Sequence, residues 1–100
     1  MRITWSEQAA SDVVEIRTFI AHDAPAFAEL FVDRILHAVD HLADFPRSGR
    51  KVPELGRSDL REVLMGSYRI VYQIRNDAIS ILAVVHTARL FGPEHLRDRG

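Results

Sequence analysis

Two hydrophobic rhythms divide the chain. Arg2-Ile3-Thr4-Trp5 alternates polar and apolar residues, which predicts a short strand. Ser6 stands where a helix N-cap belongs, and Glu7 follows in the first turn, where a negative charge meets the positive end of the helix dipole. Ala9, Val13, Ile16 and Ile20 then recur every three or four residues, one stripe of an amphipathic helix. That pattern fails near His22-Asp23-Ala24-Pro25. Asp23 or Ala24 caps a second helix that carries Pro25 in its first turn, where a missing N–H costs nothing. Its stripe is Ala28, Phe31, Ile35, Ala38, Leu42 and Phe45, and Phe45-Pro46 ends it. So short a break between two helices predicts an antiparallel hairpin.

From Leu60 the period falls to two. Leu60 to Met65 reads as a strand, Gly66-Ser67 as a turn, Tyr68 to Arg75 as a strand, and Asn76-Asp77 as a two-residue hairpin turn. Ala78 to Thr87 is the last strand; Gly92-Pro93 breaks it, and Glu94 to Gly100 forms a short frayed tail. Residues 46–58, with Pro46, Gly49, Pro53 and Gly56, are a loop within one domain, because the strands that follow have no covering layer of their own. With Asn76-Asp77 as the whole turn, Arg75 faces Ala78. Tyr68, Ile70, Tyr72 and Ile74 then share a face with Ile79, Ile81, Ala83 and Val85, beneath the helices. The other face carries Arg69, Val71, Gln73, Ser80, Leu82, Val84 and His86. Arg69 opposes Val84, His86 is its diagonal neighbour, and no element remains to cover this face fully. The expected fold is α+β: an N-terminal strand and an antiparallel helical hairpin packed on one face of a small, mostly antiparallel sheet, in one domain over 1–100.

Composition narrows the class. At 47% hydrophobic and 27% charged residues, the chain is globular rather than disordered. The longest apolar run, Ile81 to Val85, is far short of the roughly 20 residues of a membrane span. No basic-then-apolar segment opens the chain, so the expected location is the cytoplasm and no membrane partner is expected. The absence of cysteine removes disulfides, a thiolate nucleophile and a Cys-based zinc site. Charge is uneven: residues 1–46 carry three Lys/Arg against eight Asp/Glu, and residues 47–75 seven against three. The basic middle suits an anionic partner, or merely offsets the acidic first half.

Asp33, His37 and His41 recur every four residues on the second helix, but on the face opposite its core stripe. With no third clustered ligand they read as a solvated surface, so neither a metal nor a cofactor is expected. Tyr68 and Tyr72 read as core. Nothing has the form of a nucleophile elbow or a glycine-rich phosphate loop.

Several motifs then stand in order along the chain. They are Trp5-Ser6 with Ala9, Asp12 and Ile16; Phe45-Pro46-Arg47-Ser48-Gly49-Arg50-Lys51-Val52-Pro53-Glu54-Leu55; Leu60-Arg61-Glu62-Val63; Tyr68-Arg69-Ile70-Val71-Tyr72; and Val84-Val85-His86-Thr87-Ala88-Arg89. With these the chain resembles the ParE/RelE superfamily of toxins from bacterial type II toxin–antitoxin modules. The resemblance implies the same helical hairpin on a small sheet, and a growth inhibitor held inactive by a cognate, ParD-like antitoxin. It leaves two mechanisms open. RelE-like members cleave mRNA on the ribosome; ParE-like members poison DNA gyrase.

Cleavage by 2′-hydroxyl attack needs a base, charge stabilisation at the phosphate and an acid for the leaving oxygen. By resemblance Glu54, Arg69 and His86 match a Glu/Arg/His set, with Arg61 adding phosphate charge. Against that stand simpler readings: Glu54 as a surface carboxylate, Arg69 paired with Glu62, and His86 as a satisfied strand-end histidine. Lys51 is the only lysine, and a net charge of −1 is low for a ribosome binder. The reading therefore leans away from an enzyme and towards a ParE-like gyrase poison. Arg50, Arg61, Arg69, Val71, Leu82, Val84, His86 and Arg89 would then form the target- or antitoxin-binding surface. The alternatives are the mRNA endonuclease and an inactive paralogue kept as a binding module.

Overall fold

In a computed structural model, which describes residues 1–89 and 91–92, the chain forms seven elements: β1 (Arg2–Trp5), α1 (Glu7–Asp23), α2 (Pro25–Asp44), β2 (Arg50–Lys51), β3 (Leu60–Met65), β4 (Tyr68–Arg75) and β5 (Ala78–His86). The expected tail at Glu94 to Gly100, and the break at Pro93, lie outside the described residues. The five strands form one sheet in the order β1-β5-β4-β3-β2. Only β1 and β5 run parallel; the other neighbours are antiparallel.

The local signals act as physical chemistry requires. The Ser6 side chain accepts from the Ala9 N–H at 3.0 Å and starts α1. Ala24 ends α1 and begins α2 with no side-chain cap, and Pro25 occupies the first turn of α2. Asn76 takes a positive φ of 55° in the β4–β5 turn, a conformation Asn tolerates better than most residues. The helices lie across one face of the sheet. Ala9, Ile16, Phe31, Ile35, Val39 and Leu42 bury there against Ile70, Tyr72, Ile79, Ile81 and Val84. Phe45, expected to close the α2 stripe, lies outside this core: it is 55% exposed and stacks on His41, while Val39 fills the core instead.

The β4–β5 register corrects the expected one. Arg75↔Ala78 through Tyr72↔Ile81 follow the two-residue turn, but Val71 then pairs with Ala83, because Leu82 is an extra residue in a β-bulge. A one-residue slip moves side chains to the other face. Val84 therefore packs under the helices, and Ala83 and Val85 lie on the back face. Arg69 faces Val85 rather than Val84, and His86 faces Tyr68, so His86 is not a diagonal neighbour of Arg69 on a shared face.

The start of α1 holds this bulge. The Ser6 hydroxyl donates to the Leu82 carbonyl at 3.0 Å, the Ser6 N–H donates to the Ile81 carbonyl at 3.0 Å, and the Val84 N–H donates to Asp12 Oδ2 at 2.9 Å. Gln8 donates to the other Asp12 oxygen at 2.7 Å. Backbone groups freed by the bulge, which would be costly if buried unpaired, thus find partners on α1.

The back face is also covered. Val52 and Leu55 from the 52–58 loop, with Phe91, close over Leu60, Val71, Leu82, Ala83 and Val85. Phe91 is fully buried.

Candidate functional site

Two places collect the chemistry-bearing side chains. The first is the ion network on the back face. Arg69 on β4 is 4% exposed. Its guanidinium donates to both Glu54 carboxylate oxygens, to Glu62 Oε1 at 2.8 Å and to the Arg89 carbonyl. Glu62 is 1% exposed, and its second oxygen accepts from Arg50 Nε at 2.7 Å. Glu54 Oε2 also accepts the Phe91 N–H at 2.9 Å. Two arginines and two carboxylates thus join β2, β3, β4, the 52–58 loop and the segment after β5.

Such a cluster is stable only when each buried charge has a partner. Arg69, followed by the Phe91 N–H, holds the Glu54 carboxyl at about 2, against an ordinary value of 4.5. Glu54 and then Glu62 push Arg69 the other way, further into its charged form. A carboxylate so strongly stabilised by a fixed cation is a weak proton acceptor, and Arg69 has its side-chain donors turned to protein partners except Nε. Arg61 is tied as well: Nε donates to the Ser58 carbonyl at 3.0 Å and a terminal nitrogen to the Gly49 carbonyl at 2.9 Å.

The Phe45-Pro46-Arg47-Ser48-Gly49-Arg50 motif closes the loop on the sheet. The Tyr72 hydroxyl donates to the Pro46 carbonyl at 2.8 Å and accepts the Gly49 N–H at 3.0 Å. Burial pushes the Tyr72 hydroxyl up, away from ionisation. A Cβ on Gly49 would stand 2.6 Å from that hydroxyl and 2.7 Å from the Glu62 carbonyl oxygen, so glycine is needed here for close approach.

The second place is a groove at the far end of the helices. Phe19 and Ile20 from α1, Phe27 and Phe31 from α2, Gly66 and Ser67 from the β3–β4 turn, Tyr68 and His86 line a hollow of about 620 Å³. Its rings touch: Phe31 lies 6.0 Å from Phe27 and 5.6 Å from Tyr68, and Tyr68 meets His86 edge-on at 5.7 Å. Phe19 is 74% exposed. Exposed aromatic surface of this kind marks interaction sites.

The sequence-predicted residues therefore separate. Glu54 and Arg69 meet, Arg69 also meets Glu62, and Arg50 joins them; Arg61 stands apart on backbone carbonyls. His86 is exposed at the groove, where Nδ1 accepts the Ala88 N–H at 3.1 Å. Val71, Leu82 and Val84, expected on an open face, are buried at 0%, 6% and 3%, because the loop, Phe91 and the bulge enclose them. They offer a partner no surface. Arg89 is exposed, and its carbonyl holds Arg69. Asp12 and the groove phenylalanines were not singled out for these roles. The signal for Phe19 and Phe27 was two aromatics lying off the helix stripes.

Among the described residues no group of three or more His, Asp or Glu side chains gathers as a metal site, and no helix is long and apolar enough to cross a membrane.

Comparison with known proteins fits this architecture. The family described as the ParE toxin of the type II toxin–antitoxin system, parDE, matches residues 3–91. The chain is 32% identical over 90 residues to Toxin RelE2 of Caulobacter vibrioides, covering 89% of this chain and 98% of that protein. It is 40% identical over 88 residues to the Y4kP protein of Sinorhizobium fredii, covering 85% and 86%. A chain of the chromosomal ParDE system from P. aeruginosa superposes with a TM-score of 0.73 at 20% identity, over 86% of this chain and 95% of that one, and shares the fold. The chain belongs to the ParE toxin family of type II toxin–antitoxin systems.

Proposed function

We propose that this toxin acts by binding rather than by cleavage, with DNA gyrase as its target and a ParD-like antitoxin as its inhibitor. One observation carries the reading. Of the three side chains a nuclease would need together, Glu54 and Arg69 are spent on a buried ion network, and His86 stands at the groove on the helix side. A base and an acid on opposite sides of a sheet cannot serve one scissile phosphate. The aromatic groove supplies an exposed apolar surface instead, with Phe19, Phe27 and His86 at its rim, suited to receive side chains from the apolar side of an antitoxin helix. The relative named Toxin RelE2 leaves mRNA cleavage open as the second reading.

Expression of the toxin without antitoxin in bacteria tests this. The proposed function gives a DNA-damage response and filamentation with intact mRNA. Rapid codon-linked mRNA cleavage without that response makes it a ribosome-dependent nuclease, and unimpaired growth makes it an inactive binding module.

A further inference from the structure

At the end of the sheet opposite the groove lies a recess with different chemistry. Arg2 pairs with Ala78 across β1 and β5, and Ala78 pairs with Arg75 across β5 and β4. The three therefore occupy one row of the sheet and project to one face, with the arginine backbones about 10 Å apart across two strand spacings. Only the Ala78 methyl lies between them. Arg2, Arg75, Asn76, Asp77, Ala78 and Ser80 line a hollow of about 430 Å³. Among the described residues neither arginine has an ion-pair partner, and both are exposed. Ser80 Oγ lies 3.3 Å from Thr4 Oγ1, which also meets the Ile79 carbonyl at 3.4 Å, so the Ser80 hydroxyl can exchange this long contact for an incoming acceptor. Asp77 is the one carboxylate in the lining, and its carbonyl already accepts the Arg2 N–H at 3.3 Å.

We propose that this recess is a phosphate-binding site, with Arg2 and Arg75 as its two arms and Ser80 at its floor. Two planar guanidinium forks, a hydroxyl and the Asn76 amide offer donors from several directions. A tetrahedral oxyanion can use such a set, whereas a planar carboxylate leaves part of it idle. A metal cation is disfavoured by two adjacent positive charges. The inference does not depend on which macromolecule the toxin arrests.

The test is an amide-resolved NMR titration of the isotope-labelled chain with inorganic phosphate, matched in ionic strength against sodium chloride. Residues 2–4 and 76–80 shift saturably with phosphate and not with chloride. Arg2→Gln and Arg75→Gln each weaken binding about fivefold, in the range of an exposed charge pair. Asp77→Asn tightens it, by removing the one repulsive charge. Thermal melting of each variant confirms an intact fold, as expected for exposed positions. Equal shifts with chloride, no shift with phosphate, or undiminished binding by the double arginine variant overturns the site. A short DNA duplex supplies the second arm. If it competes for the same amides, the phosphate belongs to a nucleic-acid backbone; if it does not, to a small phosphorylated molecule. Either result upholds the phosphate site.

Discussion

The two faces of this sheet are closed by different physics. The helix face is covered by two amphipathic stripes that bury apolar residues at a regular spacing, and the stabilisation is spread over many similar contacts. The back face is covered by a proline-containing loop and one phenylalanine, neither periodic, and both held by Arg69 and Glu54. Redundant packing tolerates local damage; a charge network under a thin cover does not, since each lost partner strands another charge. Two of the residues that look most catalytic in the sequence, Glu54 and Arg69, are thus the keystones of the less redundant face.

That contrast is sharpest at Arg69. Arg69→Met leaves Glu62 fully buried with only Arg50, and frees Glu54 and the segment at Phe91; it should destabilise by about 3–5 kcal/mol in urea unfolding. On the helix face, Ile35→Ala removes a fully buried side chain and should cost about 2–4 kcal/mol. If Arg69→Met proves milder than Ile35→Ala, the back face does not depend on its network. Asp12→Ala strips the bulge of its acceptor for the Val84 N–H and should cost about 1–3 kcal/mol. Amide exchange should then accelerate first at Val84 rather than across α1.

Acid separates the faces further. The Glu54 pKa is lowered by folding, so its stabilisation is complete above the unfolded value of about 4.5 and is lost as pH falls towards about 2. Over that window the wild type should lose stability more steeply than Glu54→Gln, as urea midpoints at several pH values would report. The smallest effect on stability belongs to Phe19→Ser. At this exposed position unfolding should change by less than about 0.5 kcal/mol, while growth inhibition or antitoxin capture falls if the groove is a binding surface.

The order and type of six of the seven elements were legible because their signals are local: the Ser6 cap, Pro25 in a first turn, the three-and-four stripes and the Asn76-Asp77 turn; the two-residue β2, Arg50–Lys51, lies inside the stretch expected as loop, too short to show a period. The β4–β5 register was legible only as far as Ile81. Beyond it, Ile81 to Val85 is unbroken apolar sequence, and such a run fits either face of a sheet with no alternation to fix it. What fixes it is Ser6 and Asp12, more than 70 residues away in sequence. The misplacement of His86 beside Arg69 follows from that one residue. The Arg69–Glu62 pair was foreseen as one possibility, because both lie on neighbouring strands. Glu54 joining it was not, since a loop carries no period. Phe91, likewise in an aperiodic segment, carries no sequence signal for its covering role.

The central claim is that this toxin acts without a catalytic centre at Glu54, Arg69 and His86. Incubating the purified chain with DNA gyrase, supercoiled plasmid and ATP, beside translating ribosomes with a defined mRNA, puts both mechanisms in one experiment. The account predicts gyrase-linked double-strand breaks in the plasmid and an uncut message. A cut message with an untouched plasmid, abolished by His86→Ala in a folded protein, would contradict it.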